Sequence, residues 1–321
     1  MNAARRHWLA VAILTLCTAT TGVSFVLTKA SIEAQLALVP GESTWFVSAQ
    51  NMVPRFATGL VLLVALHGWG VLRLTAAEWR QAVFLALTST CGCLLQLDGM
   101  QFTGASVTAF LTQFYVILIP LWTALAHRRA PGLRLALAGL LVLAGVAVLA
   151  NVDWRTFTMG RGEAEVLLAA CFFSFVILGL SWEGCAKNRP GPTVAGMFAL
   201  EGAIFLGLSV VLHHEAAHIM RPWASLVWLP LVVLAALLGT AGPFIVLSHW
   251  QKFVGAAEAS LIYSFGPVFS ALSGLFLPAW LSVICGISYA NEQATSSLII
   301  GGLLILSANA LIQFWPSRPA D

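Results

Sequence analysis

The stretch FTGASVTAFLTQFYVILIPLWTALA, from Phe102 to Ala126, contains no charged residue. About 20 consecutive apolar residues are enough for an α-helix to cross the hydrocarbon core of a bilayer. A related stretch, FVGAAEASLIYSFGPVFSALSGLFL, runs from Phe253 to Leu277. Identical residues, such as Phe114 and Phe265, fall at a constant offset of 151 (253 − 102). The two stretches therefore predict two related membrane-spanning helices in an internally repeated chain.

The composition extends this prediction to the whole chain. The protein has 321 residues, of which 59% are hydrophobic and 9% charged, whereas about 25% of a soluble domain is charged. Backbone groups in lipid must be hydrogen-bonded internally, so only helices or closed barrels span a membrane. The apolar runs are continuous, while barrel strands alternate in polarity. We therefore expect helices.

Ten apolar segments follow one another along the chain. They are 8–34, 45–66, 79–98, 102–126, 134–150, 163–184, 194–212, 225–250, 256–278 and 297–315. The segments after the two related stretches align at an offset of 163, which places a 12-residue insertion (163 − 151) in the loop 278–296. Five spans per repeat require the second repeat to enter the membrane from the opposite side. We therefore predict an all-α integral membrane protein with ten transmembrane helices in two inverted five-helix repeats, 1–151 and 162–316.

Lys and Arg residues in the loops give an orientation, because positively charged loops stay in the cytoplasm. With the N-terminus inside, most of them fall on the cytoplasmic side, and only Arg155, Arg161 and Arg221 fall in loops outside. This bias predicts a multi-pass protein of the inner (plasma) membrane of a bacterium, with both termini cytoplasmic. The six cysteines have no CxxC spacing, so we expect them to pack in the interior rather than form disulfides or a metal site.

In this order of segments the chain resembles the EamA-type transporters of the drug/metabolite transporter (DMT) superfamily over nearly its whole length. The resemblance is carried by GVSFVLTKA (22–30), PRFATGLVLL (54–63), LQLDGMQFTGASVTAFLTQFYVILIPL (95–121), LALAGLLVLAGVAVLA (135–150) and weaker counterparts in the second half. It implies ten helices in two inverted repeats and the export or exchange of small metabolites such as amino acids. Arg128-Arg129 stands where many members have a Gly-Glu pair, which leaves the substrate open, as does the insertion.

Polar residues within apolar spans are candidates for a central cavity. Hydroxyl groups recur at helical spacing in three spans. The candidates are Thr21 and Ser24 (with Thr20 and Thr28) in the first, Thr108, Thr112, Gln113 and Tyr115 in the fourth, Ser260, Tyr263 and Ser264 in the ninth, and Gln96 in the third. The alternative is that each hydroxyl bonds a carbonyl of its own helix or joins two helices.

Charged residues within spans are sharper candidates, because a charge at a helix centre costs about 3 kcal/mol on insertion scales. Arg55 and Glu201 lie deepest, while Lys29 and Glu258 lie nearer the ends of their spans. We expect Arg55 or Lys29 to meet an anionic group of the substrate, and Glu201 or Glu258 to balance it or carry a proton. The alternative for Lys29 and Glu258 is contact with interfacial water.

Small residues and prolines predict close packing and bends. Gly266, Ser270 and Gly274 recur every four residues, which lets another helix approach closely. Pro120 and Pro267 each free a backbone carbonyl and permit a bend that could gate the cavity or be static.

One motif favours a different class of protein. His214-Glu215-Ala216-Ala217-His218 fits the H-E-x-x-H pattern, in which two His bind zinc and the Glu activates water. Leu97-Asp98-Gly99 is similar to the Leu-Asp-Gly of intramembrane metalloproteases, but it precedes the HEAAH motif, the reverse of that family's order. Incidental metal binding by His213, His214 and His218 is a further alternative.

The sequence favours a secondary transporter of the exporter or exchanger type. It would move a small metabolite such as an amino acid or drug-like compound by alternating access. We expect no enzymatic activity and no cofactor, since no nucleotide-binding GxxxxGK[ST] motif occurs. The expected partners are the lipid bilayer and a small-molecule substrate, not nucleic acid, and a homodimer is one option. The alternatives are a membrane-embedded zinc metalloprotease using His214, Glu215 and His218, and a passive channel or facilitator.

Overall fold

The computed structural model describes residues 3–126, 128, 133–150, 159–243, 246, 250, 253–254, 259 and 262–314. Every regular element within these ranges is helical. The α-helices are α1 (Ala3–Leu38), α2 (Thr44–His67), α3 (Ala76–Phe102), α4 (Ala105–Thr112), α5 (Tyr115–Ala126), α6 (Leu133–Leu149), α7 (Arg161–Leu180), α8 (Pro190–Leu212), α9 (Ala216–Met220), α10 (Trp228–Ala236), α11 (Gly266–Gly274), α12 (Leu277–Cys285) and α13 (Ser296–Phe314). A π-helical segment, Leu237–Ala241, continues α10.

Six of these helical segments are long and apolar enough to cross a bilayer, counting α4 and α5 together. Two bent pairs raise the number to eight if each is one span: α9 with α10, bent by 73°, and α11 with α12, bent by 56°. Helices α6 and α13 are apolar but shorter. The all-helical, membrane-type character predicted from the sequence is thus confirmed. The count of ten stays a prediction, since parts of the predicted spans 225–250 and 256–278 lie outside the described residues.

Local sequence signals define several helix ends. The Ser43 side chain accepts a hydrogen bond from the backbone N–H of Phe46 at the start of α2. Thr75 and Glu78 form a reciprocal capping box at the start of α3, which satisfies two backbone N–H groups that a helix start leaves free. Gly68 ends α2 with φ 72°, a conformation that costs a glycine little.

Pairs of glycines bring helices together at three places. A Cβ on Gly99 of α3 would lie 2.6 Å from the Gly162 carbonyl oxygen of α7, and the reverse holds at the same distance. Gly145 of α6 and Gly301 of α13 have the same relation at 2.9 Å. Residues without side chains let helix backbones approach this closely.

The third glycine contact involves the small-residue stripe predicted in the ninth span. A Cβ on Gly22 of α1 would lie 2.6 Å from the Gly266 carbonyl oxygen and 2.8 Å from the Ser270 backbone nitrogen. Gly266 and Ser270 of α11 therefore face α1. Gly274 faces the loop after α12 instead, because its Cβ position lies 3.0 Å from Glu292 Oε2.

Polar and apolar side chains are distributed as lipid requires. Many large apolar side chains are exposed, including Trp8, Leu226 and Val283, whereas polar side chains are buried between helices. Gln35 of α1 donates to Gln50 Oε1 of α2 at 2.8 Å, and Trp228 of α10 donates to Gln35 Oε1 at 3.1 Å. Interhelical hydrogen bonds of this kind join helices where the hydrophobic effect cannot.

The two related stretches are interrupted at matching positions. Between α4 and α5, Gln113 and Phe114 form a turn, and Phe265 forms a turn immediately before α11. Around the first turn the hydrogen bonds tighten to three-residue spacing, for example from Val116 N to Gln113 O. Pro120 has no N–H to offer the carbonyl one turn before it. The fourth span is thus interrupted by a turn at Gln113–Phe114. This turn lies before the part of the helix in which Pro120 removes a hydrogen bond.

Candidate functional site

A cavity of about 300 Å³ lies between helices of both halves of the chain. Its walls come from α1, α2, α3, the α4–α5 break, α7 and the π-helical segment. The lining residues are Thr21, Ser24, Phe25, Thr28, Arg55, Gln96, Leu97, Met100, Thr112, Tyr115, Phe173, Val176, Ile177 and Gly239. Six of the predicted cavity residues are therefore brought together, from the five helices α1 to α5: Thr21, Ser24, Arg55, Gln96, Thr112 and Tyr115.

The hydroxyl groups of this cavity have two roles at once. Thr28 donates its hydrogen to the Ser24 carbonyl at 2.7 Å, and Thr112 donates to the Thr108 carbonyl at 2.7 Å, as the alternative interpretation expected. Each hydroxyl oxygen nevertheless accepts from another helix. Thr112 Oγ1 accepts from Gln96 Nε2 at 2.8 Å. Because the single hydrogen of each is used within its own helix, these hydroxyls present lone pairs to the cavity.

Arg55, midway along α2, is the cation of this cavity. Its Nη1 donates to Thr28 Oγ1 of α1 at 3.0 Å, and its Nε donates to Thr240 Oγ1 at 2.7 Å. Among the described residues no carboxylate lies within ion-pair distance of the guanidinium. Nη2 lies beside Gly239, where an added Cβ would be 3.1 Å away. Two neutral hydroxyls thus hold a half-buried positive charge without neutralising it.

Glu201 of α8 does not line the cavity. Its side chain is fully buried, and neither carboxylate oxygen makes a hydrogen bond to a described residue. Ser89 of α3 is a close neighbour, but its hydroxyl does not reach hydrogen-bonding geometry with Glu201 and instead lies 3.8 Å from Cys93 Sγ. An unpartnered carboxylate at such a position is costly unless it is neutral.

Lys29 also lies outside the cavity, one residue beyond Thr28. Its Nζ donates to the Met100 carbonyl at 2.6 Å and the Gln101 carbonyl at 3.3 Å, and it lies 3.4 Å from Glu33 Oε1. The chain itself therefore satisfies this cation, and Lys29 joins α1 to the end of α3.

The remaining predicted residues are spread over other parts of the bundle. Thr108 is buried and donates to the Gly104 carbonyl of its own helix at 2.9 Å, and Gln113 forms the α4–α5 turn. Tyr263 packs against a cluster that includes Ala10 and Leu14 of α1, and Ser264 is buried. Ser260 and Glu258 lie outside the described residues.

The HEAAH motif is engaged with the α1–α2 loop rather than arranged around a metal position. His214 Nδ1 and His218 Nδ1 each lie 2.9 Å from an oxygen of Glu42. Only residues 216–220 are helical, so the two His do not lie on one regular helix. Within the described residues no group of three or more His, Cys, Asp or Glu side chains could hold a metal ion.

Glu42 has more hydrogen-bond partners than the two His rings. Its oxygens also accept from the backbone N–H groups of His214 at 2.9 Å and Glu215 at 3.1 Å. Burial alone would raise the pKa of Glu42, but the hydrogen bonds, of which the one with His218 is strongest, lower it to about 2. Glu42 was not among the residues singled out from the sequence, because its partners lie about 170 residues away in the chain.

The inserted loop supplies a second carboxylate that sequence reasoning missed. Glu292 accepts from the Ser106 backbone N–H at the start of α4, with 3.3 Å to each oxygen. Its own backbone N–H donates to the Gly274 carbonyl at 2.9 Å. The loop is closed on itself by Ser282, which bonds both backbone groups of Tyr289. The only available signal was the insertion itself.

Other cavities of similar size lie elsewhere among the described residues. One lies beside the start of α3 and is lined by Arg80, Gln81 and Trp182. Another lies between α11 and α13 and is almost wholly apolar. Neither places an unneutralised charge midway along a span, so the Arg55 cavity is the candidate site.

No known protein-family model matches the chain. No curated protein matches it either. Solved structures do: one crystal structure, described only as that of a protein, superposes with a TM-score of 0.53 at 18% sequence identity. The match covers 92% of this chain and 96% of the other. At this identity the likeness concerns the fold alone, and it extends over nearly the whole helical arrangement.

Proposed function

We propose that this chain is a secondary transporter of the EamA type, in the drug/metabolite transporter superfamily, that carries a small metabolite across the bacterial inner membrane. Ten spans in two inverted five-helix repeats would alternately open the Arg55 cavity to each side. Both termini would lie in the cytoplasm. The observation that carries the proposal is Arg55: a guanidinium that has no carboxylate partner among the described residues, in a cavity between apolar helices.

Physical cost supports this proposal. A charged residue inside a membrane segment is expensive, and such residues mark substrate or ion pathways by default. A purely structural arginine would be expected to have a carboxylate partner, as Arg189 has in Glu78 at 2.7 Å. The matching interruptions at Phe114 and Phe265 also support the repeat, because broken helices in corresponding positions of two halves are typical of transporter binding sites.

Contacts at one end of the bundle support alternating access. The end that carries the α1–α2 loop, residues 39–43, is called the upper end. There Glu42 contacts the segment after α8, Lys29 contacts the end of α3, and Glu292 contacts the start of α4. In the proposed mechanism these contacts close the upper end and must separate during each cycle.

The test is counterflow in liposomes that contain the purified protein. Vesicles loaded with a mixture of amino acids or small organic acids are diluted into a trace of each labelled compound. A transporter concentrates the label transiently against the preloaded compound, and we expect Arg55→Gln and Glu201→Gln to reduce this signal. Protein-free vesicles and the surface variant Arg80→Gln are the controls.

The same experiment distinguishes the alternatives. A passive channel gives equilibration of label without transient concentration, whereas a passive carrier-type facilitator gives counterflow but no uphill accumulation under an imposed ion gradient. Unchanged counterflow in both Arg55→Gln and Glu201→Gln would remove these residues from the mechanism. The zinc protease alternative gains no support from the HEAAH geometry, and zinc analysis of purified protein with a His214→Ala control tests it.

A further inference from the structure

We infer that the substrate class of the Arg55 cavity is a small organic monoanion, a monocarboxylate with an apolar body and no ammonium group. This inference deepens the proposed function and takes its biological meaning from it. It narrows the broader expectation from the sequence, which included amino acids.

The first step is the hydrogen-bonding capacity of Arg55. A guanidinium has five N–H donors. Its bonds to described residues come from Nε and Nη1, with Thr240 and Thr28 as acceptors, so Nη2 has no acceptor among them. Gly239 approaches this end of the guanidinium closely, because a Cβ added there would collide with Ser24 Oγ and lie 3.1 Å from Nη2. A carboxylate accepts two parallel N–H bonds from such a group, which is a strong, charge-assisted geometry.

The second step concerns the charge of the ligand. Arg55 is the one charged residue among the described residues that line the cavity. A dianion such as a phosphate monoester needs a second cation, and Lys29 is held by Glu33 and two carbonyl oxygens. An ammonium group would need a carboxylate to balance it, and no Asp or Glu lines the cavity in the part of the chain that the structure describes. A single negative charge matches the lining.

The third step concerns the rest of the ligand. Much of the remaining lining is apolar and partly aromatic, and it includes Phe25, Leu97, Met100, Phe173 and Ile177. A cavity of about 150 Å³ is enough to hold benzene. The volume of about 300 Å³ therefore accommodates a ring or short alkyl chain together with a carboxylate.

Binding to the purified full-length protein tests the inference without any transport assay. Melting temperature and isothermal titration are measured with a matched series built on one skeleton: 3-phenylpropanoate, its neutral amide, phenethylamine, L-phenylalanine and the dianion benzylmalonate. Hexanoate and benzoate vary the apolar body, and acetate removes it. We expect the three apolar monocarboxylates to stabilise the protein, and the amide, amine, zwitterion, dianion and acetate to bind at least tenfold more weakly.

Variants assign the binding to Arg55. Arg55→Gln removes the charge, and we expect carboxylate binding about tenfold to a hundredfold weaker. Arg55→Lys keeps the charge but loses the planar fork, so recovery of affinity should be partial. Arg80→Gln, an arginine lining a different cavity, is the matched control and should leave affinity unchanged. If Arg55→Gln does not fold, Thr240→Val, which removes one hydroxyl that orients the guanidinium, should still weaken binding severalfold.

Several outcomes would overturn the inference. They are equal or tighter binding of L-phenylalanine or phenethylamine, equal binding of the amide, unchanged affinity in Arg55→Gln, and no stabilisation by any of the monocarboxylates. Specific carboxylate binding without counterflow would instead contradict the proposed transport function and leave the inference standing. Counterflow of cations alone would contradict the inference and leave the transport function standing.

Discussion

At the scale of single residues, the charged side chains of this protein differ in who neutralises them. Lys29 is satisfied by Glu33 and by carbonyl oxygens of α3, and Glu42 by the residues of the HEAAH motif. Arg55, within the part of the chain that the structure describes, donates to neutral hydroxyls alone. Because buried charges need a partner, the first two are explained by the fold, and Arg55 is explained best by a ligand.

Glu42 gives a pH prediction. Its folded pKa of about 2 lies below its ordinary value of 4.5, so its stabilising contribution is fully present above about pH 4.5 and is lost as the pH falls toward 2. We expect Glu42→Gln to destabilise the protein by about 1–3 kcal/mol at neutral pH, because it breaks hydrogen bonds to a charged group. Melting temperature measured across this pH window checks it.

The control for this prediction is Glu215→Gln. The Glu215 side chain is exposed, and its ion pair with His218 Nε2 is long, at 3.5 Å. This substitution should therefore leave both the stability and its pH dependence nearly unchanged. If the melting temperature of Glu42→Gln falls between pH 4.5 and 2 as steeply as that of the wild type, Glu42 is not the source of this pH dependence.

Residue-level prediction from the sequence is strongest where position along a helix is sufficient information. Helical spacing and depth identified Arg55, Ser24 and Thr112 as residues for one cavity. Spacing could not identify the carbonyl groups that Lys29 contacts or the carboxylate that the HEAAH motif contacts, because hydrogen bonds across more than 70 residues depend on how helices pack. The motif pattern describes spacing only, and the geometry around His214 is set by the remote Glu42.

At the scale of elements, the inserted loop after α12 is an added connection between the two halves. It places the negative charge of Glu292 at the N-terminus of α4, where the helix dipole favours an anion by about 0.3–1 kcal/mol. The change of offset between the two halves shows that the loop is longer in the second half, but it does not show that the loop bends back over Gly104 and Gly274. Those glycines make room for the carboxylate, since a Cβ on either would lie within about 3 Å of it.

Removal of this carboxylate should loosen the start of α4. In Glu292→Ala we expect the Ser106 amide, which loses its acceptor, and the loop amides of residues 286–295 to exchange with solvent severalfold faster. Hydrogen exchange with mass spectrometry measures this. The neighbouring Gln293→Ala is the control, because its side chain is exposed. Equal exchange rates in the two variants would mean that Glu292 does not hold the loop.

At the scale of the whole molecule, composition alone was enough for the helical, membrane-type architecture, because continuous apolar runs leave no other solution in lipid. The segment count was harder. The sequence predicts 102–126 and 256–278 as single spans. In the structure a turn at Gln113–Phe114 interrupts the first, which still counts as one span, and a 56° bend separates α11 from α12 at the end of the second. Apolar composition does not reveal where a helix bends, so such breaks require packing information.

The proposed arrangement of two inverted repeats predicts the side on which each loop lies. In a protein without native cysteines, Asn2→Cys and Ala320→Cys should react with a membrane-impermeant maleimide only after the membrane is opened. Ala290→Cys, in the inserted loop, should react in intact spheroplasts. Labelling of residues 2 and 320 from different sides would give an odd number of spans and contradict two five-helix repeats.

The glycine contacts between α3 and α7, α6 and α13, and α1 and α11 have a mechanical consequence. Where two backbones meet without interlocking side chains, the seam resists separation but offers few steps against sliding. Contacts of this kind let two helices slide along each other while their backbones stay in contact. A methyl group added at Gly99 or Gly145 would collide with the carbonyl oxygen of the facing helix, so we expect it to restrict sliding before it prevents folding.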